Sequence, residues 1–84
     1  IAFTPEQLNV YGIHELHVLE DVLRQSTPEI KRNVANRIAT KIGYEPQVGE
    51  TDLVFLESFY AALRAHLEQR MLFGQRKEDK YDRR

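Results

Sequence analysis

His14-Glu15-Leu16-His17 is the stretch of this chain whose residue types come nearest to chemistry. Two histidines three apart on a helix project from the same side and are able to share a metal ion. The zinc-protease pattern needs His-Glu-x-x-His, with ligands four apart and the glutamate free as a base, and the spacing here is three. A third ligand would have to come from Asp21 or from the distant His66. Paired histidines without a completed ligand set are ordinary polar-face residues, so no metal and no cofactor is expected, and His14 and His17 are the nearest approach to a site.

Catalytic alternatives fare no better. A catalytic histidine needs a nucleophile and an orienting carboxylate. There is no cysteine, and the only serines are Ser26, at a position suited to helix capping, and Ser58, on the polar side of the last helical segment. His66 falls at the margin of an apolar arc, where a core-edge histidine with one hydrogen bond is the plainer reading. The carboxylate pairs Glu20-Asp21 and Glu78-Asp79 would need a pocket that raises one pKa, which a domain this small seldom encloses. The four glycines, Gly12, Gly43, Gly49 and Gly74, are scattered as punctuation and form no phosphate loop. Arg70 lands inside the apolar arc of the last helix. It is expected to lay its stem on apolar surface, with a pairing to Glu20 or Glu57 as the alternative. No enzyme activity is expected.

The elements that carry these residues are legible. Thr4-Pro5-Glu6-Gln7 combines an N-cap threonine, proline at the first helical position and glutamine at capping-box spacing, so a short helix starts there. Gly12 is placed to end it as a left-handed C′ residue, the alternative being a tolerated glycine inside a longer helix. From Ile13 to Gln25, Leu16, Leu19 and Leu23 share a narrow arc flanked by Ile13 and Val22, while His14, His17, Asp21 and Arg24 lie opposite: an amphipathic helix. Ser26 and Glu29 stand at capping-box spacing around Pro28 and announce another. Its stripe is Ile30, Val34, Ile38 and Ile42, widened by Ala35 and Ala39, and Gly43 is its C′ residue. Residues 43–50, with two glycines and a proline, make the one substantial loop. Thr51 or Asp52 caps a last helix whose core face is Leu53, Leu56, Phe59, Tyr60, Leu63, Leu67 and Met71, ending at Gly74. No segment alternates with period two, so the expectation is an all-α fold. It is a small bundle of three main helices with a short N-terminal helix, one domain over 1–74, and a charged, disordered tail over 75–84.

Composition agrees. Eighty-four residues support one core, burying only about 60–65% of the unfolded surface, and 42% hydrophobic with 30% charged residues is ordinary for a globular domain. No apolar run approaches the roughly 20 residues that span a bilayer, and the start lacks a signal-peptide pattern. It also lacks methionine, which suggests a piece of a longer polypeptide. The net charge of −1 hides blocks of −3, +3, −3 and +2 over residues 1–25, 26–44, 45–74 and 75–84. Neighbouring segments therefore attract one another. Lys31, Arg32, Arg37 and Lys41 do not form one stripe on their helix, Lys31 pointing toward the apolar side, so nucleic-acid binding is not expected. Contact surfaces are better sought on the outer line of the last helix, Val54, Ala61, Ala65 and Leu72, and in the tail residues Arg76, Lys77 and Lys80.

Thr4-Pro5-Glu6-Gln7-Leu8, Tyr11-Gly12, Glu15-Leu16 and Leu19-Glu20-Asp21-Val22-Leu23-Arg24 resemble the start of a soluble extension found in bacterial membrane proteins of the RDD family. Lys41-Ile42-Gly43-Tyr44, the run from Phe55 to Arg64 and the run from Leu67 to Lys80 are similar to its later landmarks, so the resemblance covers nearly the whole chain. The Arg-Asp-Asp signature that names the family belongs to its multi-span membrane domain and is missing here, so no functional residue carries over. The resemblance implies a non-catalytic cytoplasmic accessory domain on the inner-membrane side of a protein loosely linked to ion or small-solute transport. Its expected partners are the membrane-spanning portion of the same polypeptide, a second copy, or a cytoplasmic protein. The alternatives are a free-standing helical regulatory or nucleic-acid-binding module and a small metal-binding protein.

Overall fold

A computed structural model describes the backbone of residues 2–82 and the side chains of residues 2–70. It is all-α, with no strand among the described residues, in the order α1 (Pro5–Leu8), α2 (Ile13–Gln25), α3 (Pro28–Ile42) and α4 (Asp52–Asp82). Three main helices and a short N-terminal one are the architecture that the sequence implies. The long α4 is the spine: α1, α2 and α3 all pack on it, and α2 and α3 touch each other less than either touches α4.

Local chemistry sets the boundaries. Thr4 and Gln7 close the capping box reciprocally, Gln7 N–H donating to Thr4 Oγ1 at 3.1 Å and Thr4 N–H to Gln7 Oε1 at 3.0 Å. Gly12 does not end α1; it is extended at φ −117° and is the N-cap of α2, its N–H donating to Glu15 Oε1 at 2.8 Å. The α2–α3 turn shifts by one residue from the expected capping box. Thr27 is the N-cap of α3, accepting from Ile30 N–H at 3.2 Å, and Ser26 instead donates its hydroxyl to the Val22 carbonyl at 2.6 Å, finishing α2. Pro28 at the first helical position leaves the residue before it as the cap. Gly43, at φ +73°, ends α3, with Tyr44 N–H reaching back to the Ala39 carbonyl at 2.9 Å in a Schellman closure. Thr51 caps α4 by accepting from Val54 N–H at 3.1 Å. The bounds of α4 pass Gly74, the glycine expected to stop it; an isolated helical glycine costs only about 1 kcal/mol relative to alanine. The separate character expected of residues 75–84 lies outside the residues whose side chains are described.

The core comprises Leu8, Leu16, Leu19, Ala35, Ile38, Ala39, Ile42, Phe55, Leu56, Phe59, Leu63 and Leu67, and no polar or charged residue is buried among the described residues. Four expectations fail at its edges. Ile30 and Leu53, assigned to core stripes, are 47% and 45% exposed, because each sits in the first turn of its helix, beyond the reach of a covering partner. Ile13, placed on the flank of the α2 stripe, is likewise exposed. Phe55, which the apolar arc omitted, is 2% exposed, because Phe3 and Tyr44 reach over from outside the helices. Tyr44 stacks on Phe55 with centroids 5.3 Å apart and donates its hydroxyl to Glu50 at 2.9 Å, so loop 43–50 folds back onto α4.

Candidate functional site

Because α2 and α3 lean on α4 more than on each other, an open cavity of about 300 Å³ remains between them. Phe59 and Leu63 of α4 make its floor, both buried, with Leu19 of α2 and Ile38 of α3 closing the lower walls. Higher up, Val18 stands 49% exposed on one wall and Val34 half-buried on the other. Both are short side chains, and neither bridges the gap. The hairpin turn at Ser26-Thr27 joins the two helices at one end, so the cavity lies toward the start of α2.

That mouth carries the polar groups. Gly12 holds α2 so that Tyr11, His14 and Glu15 border the cavity, and Arg37 faces them from α3. The Tyr11 ring meets the edge of Phe59 at 5.9 Å and lies 5.7 Å beneath the Lys41 ammonium. Burial raises the Tyr11 hydroxyl above its ordinary pKa, Glu15 adds to the rise and Arg37 opposes it. The N–H of Gly12, then its own, holds the Glu15 carboxyl below the usual carboxylate range, so it remains an anion committed to the cap. Arg37 has no ion pair among the described residues. The arrangement is an apolar cavity with a guanidinium at its mouth and Tyr11, His14 and Glu15 as the other polar groups of its lining.

Of the residues singled out from the sequence, His14 reaches the cavity lip and His17 does not border it. Among the described residues no three His, Asp or Glu side chains converge as metal ligands. His66 Nε2 lies 2.7 Å from Asn9 Oδ1, and Arg70 donates to the same oxygen at 3.1 Å. Arg70 is thus exposed and meets an amide, not Glu20 or Glu57. Glu20 instead accepts the Tyr60 hydroxyl at 2.6 Å, a bond that ties α2 to α4 and raises the tyrosine's pKa. The basic residues of α3 disperse: Arg32 approaches Asp52 at 3.8 Å, Lys31 is half-buried, Lys41 covers Tyr11 and Arg37 lines the cavity. Val54, Ala61 and Ala65 are exposed along α4, while Leu72, Arg76, Lys77 and Lys80 lie outside the residues whose side chains are described. No helix among the described residues is long and apolar enough to cross a membrane.

No family model, curated protein or solved structure matches the chain. The site therefore has to be read from its own geometry. Sequence reasoning missed the pocket and the part played in it by Tyr11, Val18 and Arg37. Val18 was the one available signal, an apolar residue one turn from His14 on the polar arc of α2.

Proposed function

We propose that this chain is a non-catalytic binding domain, the cytoplasmic accessory part of a multi-span membrane protein, and that the pocket between α2 and α3 is the surface through which it acts. The observation that carries the binding half is the pocket itself. A domain with so small a core leaves about 300 Å³ of apolar-walled space open beside its most buried aromatic residue, within the size range of small-molecule sites. The membrane half rests on the resemblance of the Thr4–Arg24, Lys41–Tyr44, Phe55–Arg64 and Leu67–Lys80 stretches to the soluble extension of RDD-family proteins, whose loose link is to ion or small-solute transport.

Each half has its own test. Backbone amide chemical-shift mapping of the chain with a mixture of apolar and amphiphilic fragments is expected to perturb Val18, Val34 and Ile38 together. Perturbations gathered on Val54, Ala61 and Ala65 instead would move the working surface to the outside of α4. Reading the gene ahead of Ile1 is expected to show apolar segments of about 20 residues in the same frame. Their absence ends the membrane reading. Salt-dependent binding of a labelled DNA duplex would favour the regulatory alternative. The dispersal of the α3 cations argues against that outcome.

A further inference from the structure

We infer that the pocket between α2 and α3 takes a small amphiphilic carboxylate, its alkyl part on Ile38, Phe59 and Leu63 and its carboxylate on Arg37. The inference rests on reading that pocket as the working surface, and three features of the pocket name the occupant.

The first is length. Along α3 the lining runs from Val34 to Ile38, about 6 Å at the helical rise, and along α2 from His14 to Leu19, about 7.5 Å. An amphipathic helix that docks through residues i, i+4 and i+7 presents its anchors over about 10 Å. The cavity is too short for that rigid footprint and suits a small ligand whose flexible chain folds within it. The second is the division of its walls, apolar at the floor and polar only at the mouth, the pattern of sites that bury a tail and orient a head.

The third is charge. Two of the ionised groups at the mouth are already engaged: Glu15 accepts the Gly12 N–H at 2.8 Å, and the Lys41 ammonium lies over the Tyr11 ring. Arg37 has no ion pair among the described residues, and a guanidinium offers two parallel N–H donors that match a carboxylate. Glu15 also sets the valence of the ligand. A dianionic head, such as a phosphate monoester, would meet its fixed negative charge twice over, whereas a monoanion balances Arg37 and feels less of that repulsion.

The test uses decanoate as the probe, titrated into the chain below its micelle concentration and followed by amide chemical shifts, with 1-decanol and decyltrimethylammonium alongside. Decanoate is expected to bind saturably at Val18, Val34 and Ile38, about tenfold tighter than either control, the size of one charge-assisted hydrogen bond. Arg37→Gln is expected to bring decanoate down to the level of decanol, and Arg37→Lys to restore part of the difference. Both changes fall at an exposed position, so the fold survives them. Val18→Trp, also at an exposed position, is expected to fill the cavity and abolish the shifts while the melting temperature holds. Equal binding of the three probes, or decanoate binding that Arg37→Gln leaves intact, overturns the carboxylate assignment. If other fragments map to the pocket while decanoate does not, the carboxylate assignment falls and the binding reading stands; if no probe maps there, both fall.

Discussion

Phe59 has two unlike sides. On one, Phe3 and Phe55 meet it at ring-centroid distances of 5.2 and 6.1 Å, Tyr44 packs on both of them at 5.3 Å, and the corner is closed by chain arriving from the N-terminus and from loop 43–50. On the other, beyond the edge contact with Tyr11, lies the open pocket, whose upper walls are the short Val18 and Val34. Both regions use the same helix as a floor. What differs is whether irregular chain is pinned over it: Gly43 turns the backbone, Tyr44 then stacks on Phe55, and Glu50 holds both the Tyr44 hydroxyl and the Gln47 N–H. Among the described residues no such segment crosses from α2 to α3. Closure in a domain of this size is thus decided by its loops as much as by its helix stripes.

The sharpest way to break this contrast is to truncate one residue on each side. Phe55→Ala, in the closed corner, is expected to cost about 3–5 kcal/mol, because its neighbours are tied in place and cannot collapse onto the gap. Ile38→Ala removes a wall that already borders open space. It is expected near the lower end of the roughly 2–5 kcal/mol range, with a cavity that merges with the pocket. Urea unfolding of the two variants decides the matter. A larger loss at Ile38 than at Phe55 would show that the pocket side is the better packed, and a loss at Ile38 below about 0.5 kcal/mol would put it on the surface.

Gly43→Ala probes the backbone that makes the closed corner possible. A Cβ at Gly43 would meet no atom within 4 Å, so its cost is the left-handed φ of +73° alone, expected at about 1–2 kcal/mol. A crystal structure of that variant with Tyr44 still on Phe55 would confirm that strain, and not lost stacking, is what thermal melting detects.

What the sequence disclosed follows from range. The capping box at Thr4 and Gln7, the extent of α2 and the Gly43 terminus depend on residues within four positions of each other, and all were legible. The Ser26/Thr27 slip was also local; Pro28 identified Thr27 as the cap, and the competing Ser26–Glu29 spacing drew attention away from it. Phe55 was missed for another reason. Its burial comes from Phe3 and Tyr44, one some fifty residues away in sequence, and no wheel drawn on α4 alone contains them. The pocket was beyond reach for the same cause, since it is a spacing between α2 and α3, and periodicity fixes which face a helix buries but not how far it stands from its neighbour.

The tyrosines carry the contrast into pH. Burial and Glu50 raise Tyr44 in the closed corner; burial and Glu15 raise Tyr11 at the pocket; the bond to Glu20 raises Tyr60. A raised folded-state pKa means that the fold favours the neutral phenol. The contribution is therefore complete below the unfolded value of about 10 and is lost as pH rises through the folded values. Alkaline titration by phenolate absorbance is expected to show all three above free tyrosine. Glu50→Gln should lower Tyr44 and leave Tyr11 unchanged. If Tyr11 moved with it, the two sides of Phe59 would be electrostatically one region.

The smallest effect is the most telling. Val18 and Leu19 are neighbours on α2, yet Leu19 is 3% exposed and Val18 49%, so one turns into the core while the other stands at the open wall. Leu19→Ala is expected to cost about 2–5 kcal/mol as a core truncation, whereas Val18→Ala should stay within about 0.5 kcal/mol of the parent chain. The valine contributes little to stability because nothing on α3 crosses the gap to meet it. A loss above about 1 kcal/mol at Val18 is the size expected of a buried methyl group. It would mean that α2 and α3 close over the cavity in solution, and the open side of Phe59 would then be as sealed as the other.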